Sequence, residues 1–319
     1  MKKIHYGIIS LIVALLIVGL VIVFAKQSFT LKVTAFPMAH NLVSGYSEED
    51  ELSVSLLVNS STTHLTDFDS ITSCSVSDRD RENQLPLTLV AINPSQEPVF
   101  LRNENFYSFE FRFKVDFSTD LDYQLELPEA FLTIGSNKAD EDVFMYIGSF
   151  CLYRVSSFSH EEFYVSRLRG LVNVVESGKT LVAVEIGIRN ATSTNLIISS
   201  IKPLDGNITV SNADVTQTFN YPFQASDSID SVLGFDYEVL GIGDNSDLGM
   251  EIPEGENVSF LLPLKYAMEM KTNSFGLMIE YSVNGEEKVG YLNDFTFFTD
   301  YAFYLPEINQ LIISTYENY

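Results

Sequence analysis

The side chains that come closest to a chemical constellation in this chain are acids. Asp78, Asp80 and Glu82 form one acidic loop, Asp116, Asp120 and Asp122 a second, and Asp140, Glu141 and Asp142 a third. Asp244 and Asp247, with Asn245 between them, form a fourth. Calcium takes several hard oxygens on a flexible loop, so weak calcium binding is the one cofactor chemistry these residues offer; otherwise no cofactor is expected. None of the loops has the spacing of the helix–loop–helix calcium site, because the loop counted from Asp244 closes on Gly255 where a bidentate Glu is required. The competing reading is that they are solvated turn residues that keep the body soluble. His160-Glu161-Glu162-Phe163-Tyr164 begins like a zinc-protease motif and fails at its last position, where Tyr164 replaces the second ligand. Gly241-Ile242-Gly243 has the look of a phosphate loop, but Asp244 follows directly and repels phosphate. No G-x-S-x-G elbow occurs. Cys74 and Cys151 are the only cysteines. In an oxidising compartment they are a candidate disulfide, worth about 4–4.5 kcal/mol on the chain-entropy model; the alternative is two unpaired thiols, one of them buried in the strand YIGSFCLY. The sequence therefore predicts a non-enzyme. The alternative is an exported hydrolase working with acidic side chains, with or without a divalent metal; it needs acids converging in one pocket.

The elements that carry these residues begin with Tyr6–Ala25, YGIISLIVALLIVGLVIVFA, a run of 20 residues without a charge. A helix of that length spans about 30 Å, the thickness of a bilayer's hydrocarbon core. Lys2 and Lys3 precede it, so the N-terminus is expected in the cytoplasm and the rest outside. The run exceeds the usual apolar region of a secretory leader, which favours an uncleaved anchor; Val23-Phe24-Ala25 supplies the small residues of a cleavage site, so secretion after cleavage near Ala25 is the alternative. All 43 acids lie beyond residue 26 in a chain of net charge −24, and a body so acidic repels phosphate backbones, which excludes nucleic acid as a partner.

Past residue 27 side chains alternate with a period of two. In FEFRFKVDF, Phe109, Phe111, Phe113, Val115 and Phe117 point one way while Glu110, Arg112, Lys114 and Asp116 point the other. Val182, Val184, Ile186 and Ile188 alternate likewise, as do Val54, Leu56 and Val58. Asn284-Gly285 predicts a type I′ hairpin, and Ile134–Asn137 a turn in the equivalent upstream place. Many short strands with polar turns predict an all-β fold of antiparallel sandwiches.

The pattern runs twice. VSLLVNSSTTHL (54–65) corresponds to VEIGIRNATSTN (184–195), ENFYSFEFRFKV (104–115) to GENVSFLLPLKY (255–266), with Ser108-Phe109 over Ser259-Phe260, and Tyr123, Leu125 and Leu127 to Phe275, Leu277 and Ile279. The offset grows along the chain, which places an insertion in the second copy at 223–250. The predicted organisation is an anchor (1–27), a first domain (28–157), a linker (158–170), a second domain (171–301) and a tail (302–319). Phe219, Tyr221, Phe223, Phe235 and Tyr237 lie among Asp residues, in and just before the insertion, off the strand plan. Aromatics in polar surroundings on an added loop are what protein interfaces use, so this is the candidate partner-binding loop.

The second copy, with GKTLVAVEIGIRNATSTNLIIS, IPEGENVSFLLPLKY and SFGLMIEY, resembles over 178–295 the telokin-like, immunoglobulin-like domain of exported, membrane-anchored proteins of Gram-positive bacteria. The first copy lacks the Pro-x-Gly step of that pattern, and the chain lacks the lipoprotein cysteine. The resemblance implies an immunoglobulin-like fold and a surface location, and no catalytic residues. The expected protein is a single-pass, membrane-anchored pair of immunoglobulin-like sandwiches, with a protein or peptide partner at the cell envelope.

Overall fold

The computed structural model describes residues 30–46, 50–115, 122–156, 158, 161–175, 178–210, 216–218, 248–266, 274–296 and 311–317. Tyr6–Ala25 lies outside them; among the described residues no helix is long and apolar enough to cross a membrane. His160, Asp116, Asp120, Asp244, Asp247 and the aromatic set Phe219, Tyr221, Phe223, Phe235 and Tyr237 also lie outside the described residues.

The alternation produces strands throughout, and the protein is all-β. The first eight are β1 (Thr30–Ala35), β2 (Met38–Gly45), β3 (Glu51–Val58), β4 (Ile71–Ser77), β5 (Gln84–Leu101), β6 (Glu104–Val115), β7 (Tyr123–Ser136) and β8 (Val143–Val155). Ten more follow: β9 (Phe163–Val175), β10 (Gly178–Asn190), β11 (Leu196–Leu204), β12 (Ile208–Thr209), β13 (Thr216–Thr218), β14 (Met250–Ile252), β15 (Asn257–Pro263), β16 (Lys265–Tyr266), β17 (Ser274–Val283) and β18 (Glu286–Thr296). The last, β19 (Ser314–Glu317), comes from the segment read as a tail.

The duplication appears in the hydrogen-bonding register. In the first body Leu56 faces Phe109 and Leu57 faces Ser108 across β3 and β6. In the second, Ile186 faces Phe260 and Gly187 faces Ser259 across β10 and β15. These are the same pairs that the sequence correspondence matches. Likewise β7 carries β4 on one side and β8 on the other, as β17 carries β11 and β18.

The two bodies differ in closure. The second is a sandwich: sheets β13-β15-β10-β9 and β14-β11-β17-β18 enclose one core that includes Phe163, Ile186, Phe260 and Phe275. The first departs from the expected pair of separate sheets. Its strands join in one sheet ordered β19-β1-β3-β6-β5-β4-β7-β8-β2 around a single core of Leu31, Val54, Phe111, Leu132 and Phe150 among others. The reason is β5, which is 18 residues long; its start pairs with β4 and the rest with β6, so it bridges what are two sheets in the second body. At the far edge β2 runs parallel to β8, an addition no alternation pattern announces. Gly148 makes that pairing fit: its φ is +114°, and a Cβ there would run into the main chain of Met38.

A small apolar seam joins the bodies. Val43, Cys151 and Tyr153 of the first pack on Leu204 of the second, with Met278 and Tyr291 beside them. Beside these residues Asn41 donates to the buried Asp205 carboxylate at 2.5 Å.

Candidate functional site

The loop between β4 and β5 is organised by Asp78. Its carboxylate accepts from the main-chain N–H groups of Glu82 (2.8 Å) and Asn83 (3.1 Å) and from the Asn83 side chain (2.8 Å). Loss of solvation pushes the Asp78 carboxyl upward, but these hydrogen bonds, with a further one to Arg81, outweigh it and hold the group below its usual range. Asp78 is thus a turn organiser. The turn sets Arg81 at φ +61° and folds the loop back over the outer face of the sheet.

On that face β7 and β8 present an aromatic row. The rings of Phe131 and Phe144 stack at 4.8 Å and 11°, and Tyr146 tilts against Phe131 at 5.5 Å. The Arg81 guanidinium lies over Phe144 at 4.5 Å and that of Arg79 over Phe131 at 5.6 Å, two cation–π contacts that pin the loop. Arg79 also pairs with Glu129 at 3.2 Å.

The turn between β7 and β8 meets the same place. It lies at 137–142, later than the expected Ile134–Asn137, because Ile134 and Gly135 remain paired within β7. Asp140, Glu141 and Asp142 therefore face Arg81, Phe144 and Tyr316 across an open cleft of about 570 Å³. A second cleft of about 470 Å³ continues from it, sharing Arg81 and Asp142 and floored by Ser73, Ser75 and Thr133. Two acidic loops that are far apart in sequence thus frame one groove. Thr133 is 7% exposed, and its hydroxyl has no hydrogen-bond partner. Beside Gly135 the Ser73 hydroxyl, the Asp142 carboxylate and the Thr72 hydroxyl converge; a Cβ at Gly135 would stand 3.0 Å from Asp142 Oδ1 and 3.5 Å from Thr72 Oγ1. Neither the groove nor its orphan hydroxyl is legible in the sequence, since both depend on which loops the fold brings together.

The two cysteines are free and buried, which corrects the candidate disulfide. Cys74 pairs across to Ile134 on β7 and Cys151 to Glu126 on the same strand. Positions so far apart along one strand are separated by about 25 Å at strand rise, beyond any disulfide's reach. Cys74 borders the second cleft, but burial pushes its thiol up to about 12, so it is no nucleophile at neutral pH. Among the described residues no three His, Cys, Asp or Glu side chains are placed to hold a metal ion. Asp122 accepts from the Tyr46 hydroxyl at 2.6 Å and from the Ser156 main chain at 3.1 Å.

Buried charge is used to hold the fold. Glu185, 1% exposed, is gripped by Arg167 Nη1 at 3.1 Å and Arg169 Nε at 2.6 Å. Arg154 donates to the Tyr46 carbonyl at 2.5 Å and stands 3.8 Å from Asp50, which also accepts from Ser44. Asp205 accepts from Asn41 and from the main-chain N–H groups of Asn207 and Ile208.

No protein-family model matches the chain, and no curated protein matches its sequence. Among solved structures it is similar to a protein of unknown function from Porphyromonas gingivalis, at 12% identity over 82% of this chain and 97% of that one, with a TM-score of 0.21. It is similar also to the C-terminal domain of the Streptococcus agalactiae AgI/II polypeptide BspA, at 8% identity over 82% and 98% of the two chains and a TM-score of 0.18. The C-terminal domain of the Streptococcus pyogenes antigen I/II-family protein AspA gives 8% identity over 83% and 98%, with a TM-score of 0.18. Likenesses of this degree carry no argument about function.

Proposed function

We propose that this protein is an extracytoplasmic binding or structural module, held at the membrane by Tyr6–Ala25, that displays two immunoglobulin-like all-β bodies for interaction with a protein or peptide partner at the cell envelope. The observation that carries the reading is the use made of charge. Glu185, Asp50, Arg154 and Asp205 are buried and committed to structural partners, the work of a stiff scaffold, while the groups that remain at the surface are mostly acidic. A body of this charge is repelled by anionic headgroups, which favours holding it upright from its anchor. The partner surface is assigned to the 219–250 segment, from its aromatic residues among acids.

Deletion of 219–250, bridged by a short Gly/Ser linker, tests this in intact membranes. Photo-crosslinking from Tyr221 and Phe235 in the complete chain is expected to give a discrete adduct. The deletion variant, with crosslinkers at the linker ends, is expected to lose it while keeping the thermal midpoint of the parent. An adduct that persists without the segment overturns the surface assignment. A body found only on the cytoplasmic side by protease protection overturns the reading itself.

A further inference from the structure

We infer that the groove between the 78–83 loop and the 137–142 turn is a binding site for a neutral oligosaccharide. A run of acids alone would not support a site; Thr133 is the independent observation. It is more than nine-tenths buried, it lines the deeper cleft, and its hydroxyl lacks a partner, an uncommon state for a buried polar group unless something arrives to satisfy it. The neighbouring groups decide what that something is. Ser73, Ser75, Gln84 and Thr133 are neutral hydroxyls and an amide, suited to ring hydroxyls rather than to a formal charge. Arg81 and Asp142 stand where the two clefts meet. A cationic ligand threading the groove is repelled by Arg81 at that junction. An anionic one is repelled by Asp140, Glu141 and Asp142 along the rim. A polyol escapes both penalties: adjacent hydroxyls donate to the Asp142 carboxylate and accept from the Arg81 guanidinium, charge-assisted bonds at each end. The glycine at 135 keeps the space between Ser73 and Asp142 open. Tyr316 and Phe144 add apolar wall on the outer half. Two clefts in line, of about 570 and 470 Å³, suit a chain of sugar units rather than a single compact metabolite. The inference concerns only residues of the first body and β19, and stands or falls without the 219–250 segment.

The test uses the complete chain in detergent micelles, titrated by isothermal calorimetry and by saturation-transfer NMR. The probes are lactose, maltotriose and chitotriose as neutral saccharides, sialyllactose as an acidic one and pentalysine as a basic peptide. At least one neutral saccharide is expected to bind with a millimolar or tighter Kd. Asp142→Asn is expected to weaken that binding about ten-fold and Thr133→Val about three-fold, the losses of one charge-assisted and one neutral hydrogen bond. Gly135→Ala, which narrows the cleft at another point, is expected to weaken it as well, so the result does not hang on one variant. Each variant is checked for an unchanged circular-dichroism spectrum. The inference fails if no neutral saccharide binds, if Asp142→Asn and Thr133→Val leave binding intact, or if pentalysine or sialyllactose binds in preference.

Discussion

His40 lies part-buried on β2, with Nε2 3.2 Å from the Ile147 carbonyl, so Nε2 carries the proton and donates. Burial disfavours the imidazolium and lowers its pKa to about 4, against the opposing pull of that carbonyl. The unfolded chain takes up the same proton near 6.5. Between these values the unfolded state binds more protons, so stability is complete above pH 6.5 and is lost as the pH falls toward 4. The ceiling is about 3 kcal/mol, and less because the ring keeps some solvent contact. Carboxylates act lower on the scale. Asp67, hydrogen-bonded first to Lys138 and then to Ser70, is lowered to about 2, and Glu162 is lowered mainly by Lys288; each loses its contribution below the ordinary carboxylate range. Urea midpoints measured from pH 7 to 4.5 should therefore fall in the parent and stay nearly flat in His40→Gln; equal slopes would show that another group titrates. Such roles escape a reading by alternation. The period of two tells which way a Cβ points but not what comes to cover it. Glu185 lies off the apolar face of VAVEIGIRN and should be wet, yet Arg167 and Arg169 on the neighbouring strand close over it. Asn190, at the end of that strand, reads as a glycosylation site in sequence; its side chain is buried and donates to the Thr194 and Ile252 carbonyls.

At the level of elements the sequence was most informative where a rule acts locally. Phe109, Phe111, Phe113 and Val115 are buried as their alternation requires. Asn284 and Gly285 both have positive φ, +55° and +81°, the pair a type I′ turn needs, and Val283 faces Glu286 across it. The hairpin between β5 and β6 uses the same geometry at Arg102 and Asn103, φ +49° and +68°, with no glycine to announce it. There the Arg102 guanidinium reaches the Leu311 carbonyl at 2.9 Å, a tie to a segment more than two hundred residues away. Long-range partners of this kind leave no periodic trace, and β19 is the largest case. It pairs with β1 from Thr30↔Glu317 to Val33↔Ser314, and Tyr316 reaches the opposite end of the curled sheet, accepting from the Phe144 N–H and donating to the Phe144 carbonyl, both at 2.7 Å. Tyr316→Phe keeps the ring in the core and deletes only those two bonds. It should cost about 1–3 kcal/mol, because the Phe144 groups lose partners in a part-buried place. Hydrogen exchange should quicken at Phe144 while β17 and β18 are unaffected. A variant as stable as the parent would mean that β19 adds edge pairing and nothing to the closure of the sheet.

For the molecule as a whole, the question is whether two copies of one plan behave as beads or as one body. Alternation foresees the copies and their register but is silent about the seam, whose residues come from β2, β8, β11, β17 and β18. Gly276 bears on this: a Cβ there would crowd Val43 Cγ2 at 2.9 Å, so β17 and β2 approach across the seam closely enough to need a small residue. The apolar area of Val43, Cys151, Tyr153 and Leu204 is modest, and such patches alone hold domains only loosely. The Asn41–Asp205 bond changes the balance, because Asp205 is a buried carboxylate whose other oxygen already accepts from the main chain at Asn207 and Ile208. Separating the bodies exposes that carboxylate to water at little cost, but keeping them docked without Asn41 strands one of its oxygens. Asn41→Ala should thus weaken docking by about 2–3 kcal/mol, the charge-assisted range, more than it weakens either core. The parent is expected to melt in a single calorimetric transition, and Asn41→Ala to resolve two, with exchange protection lost first along β2. Two transitions already present in the parent would show that the seam transmits nothing, and the display of a stiff two-body scaffold would then have to rest on the chain that links them.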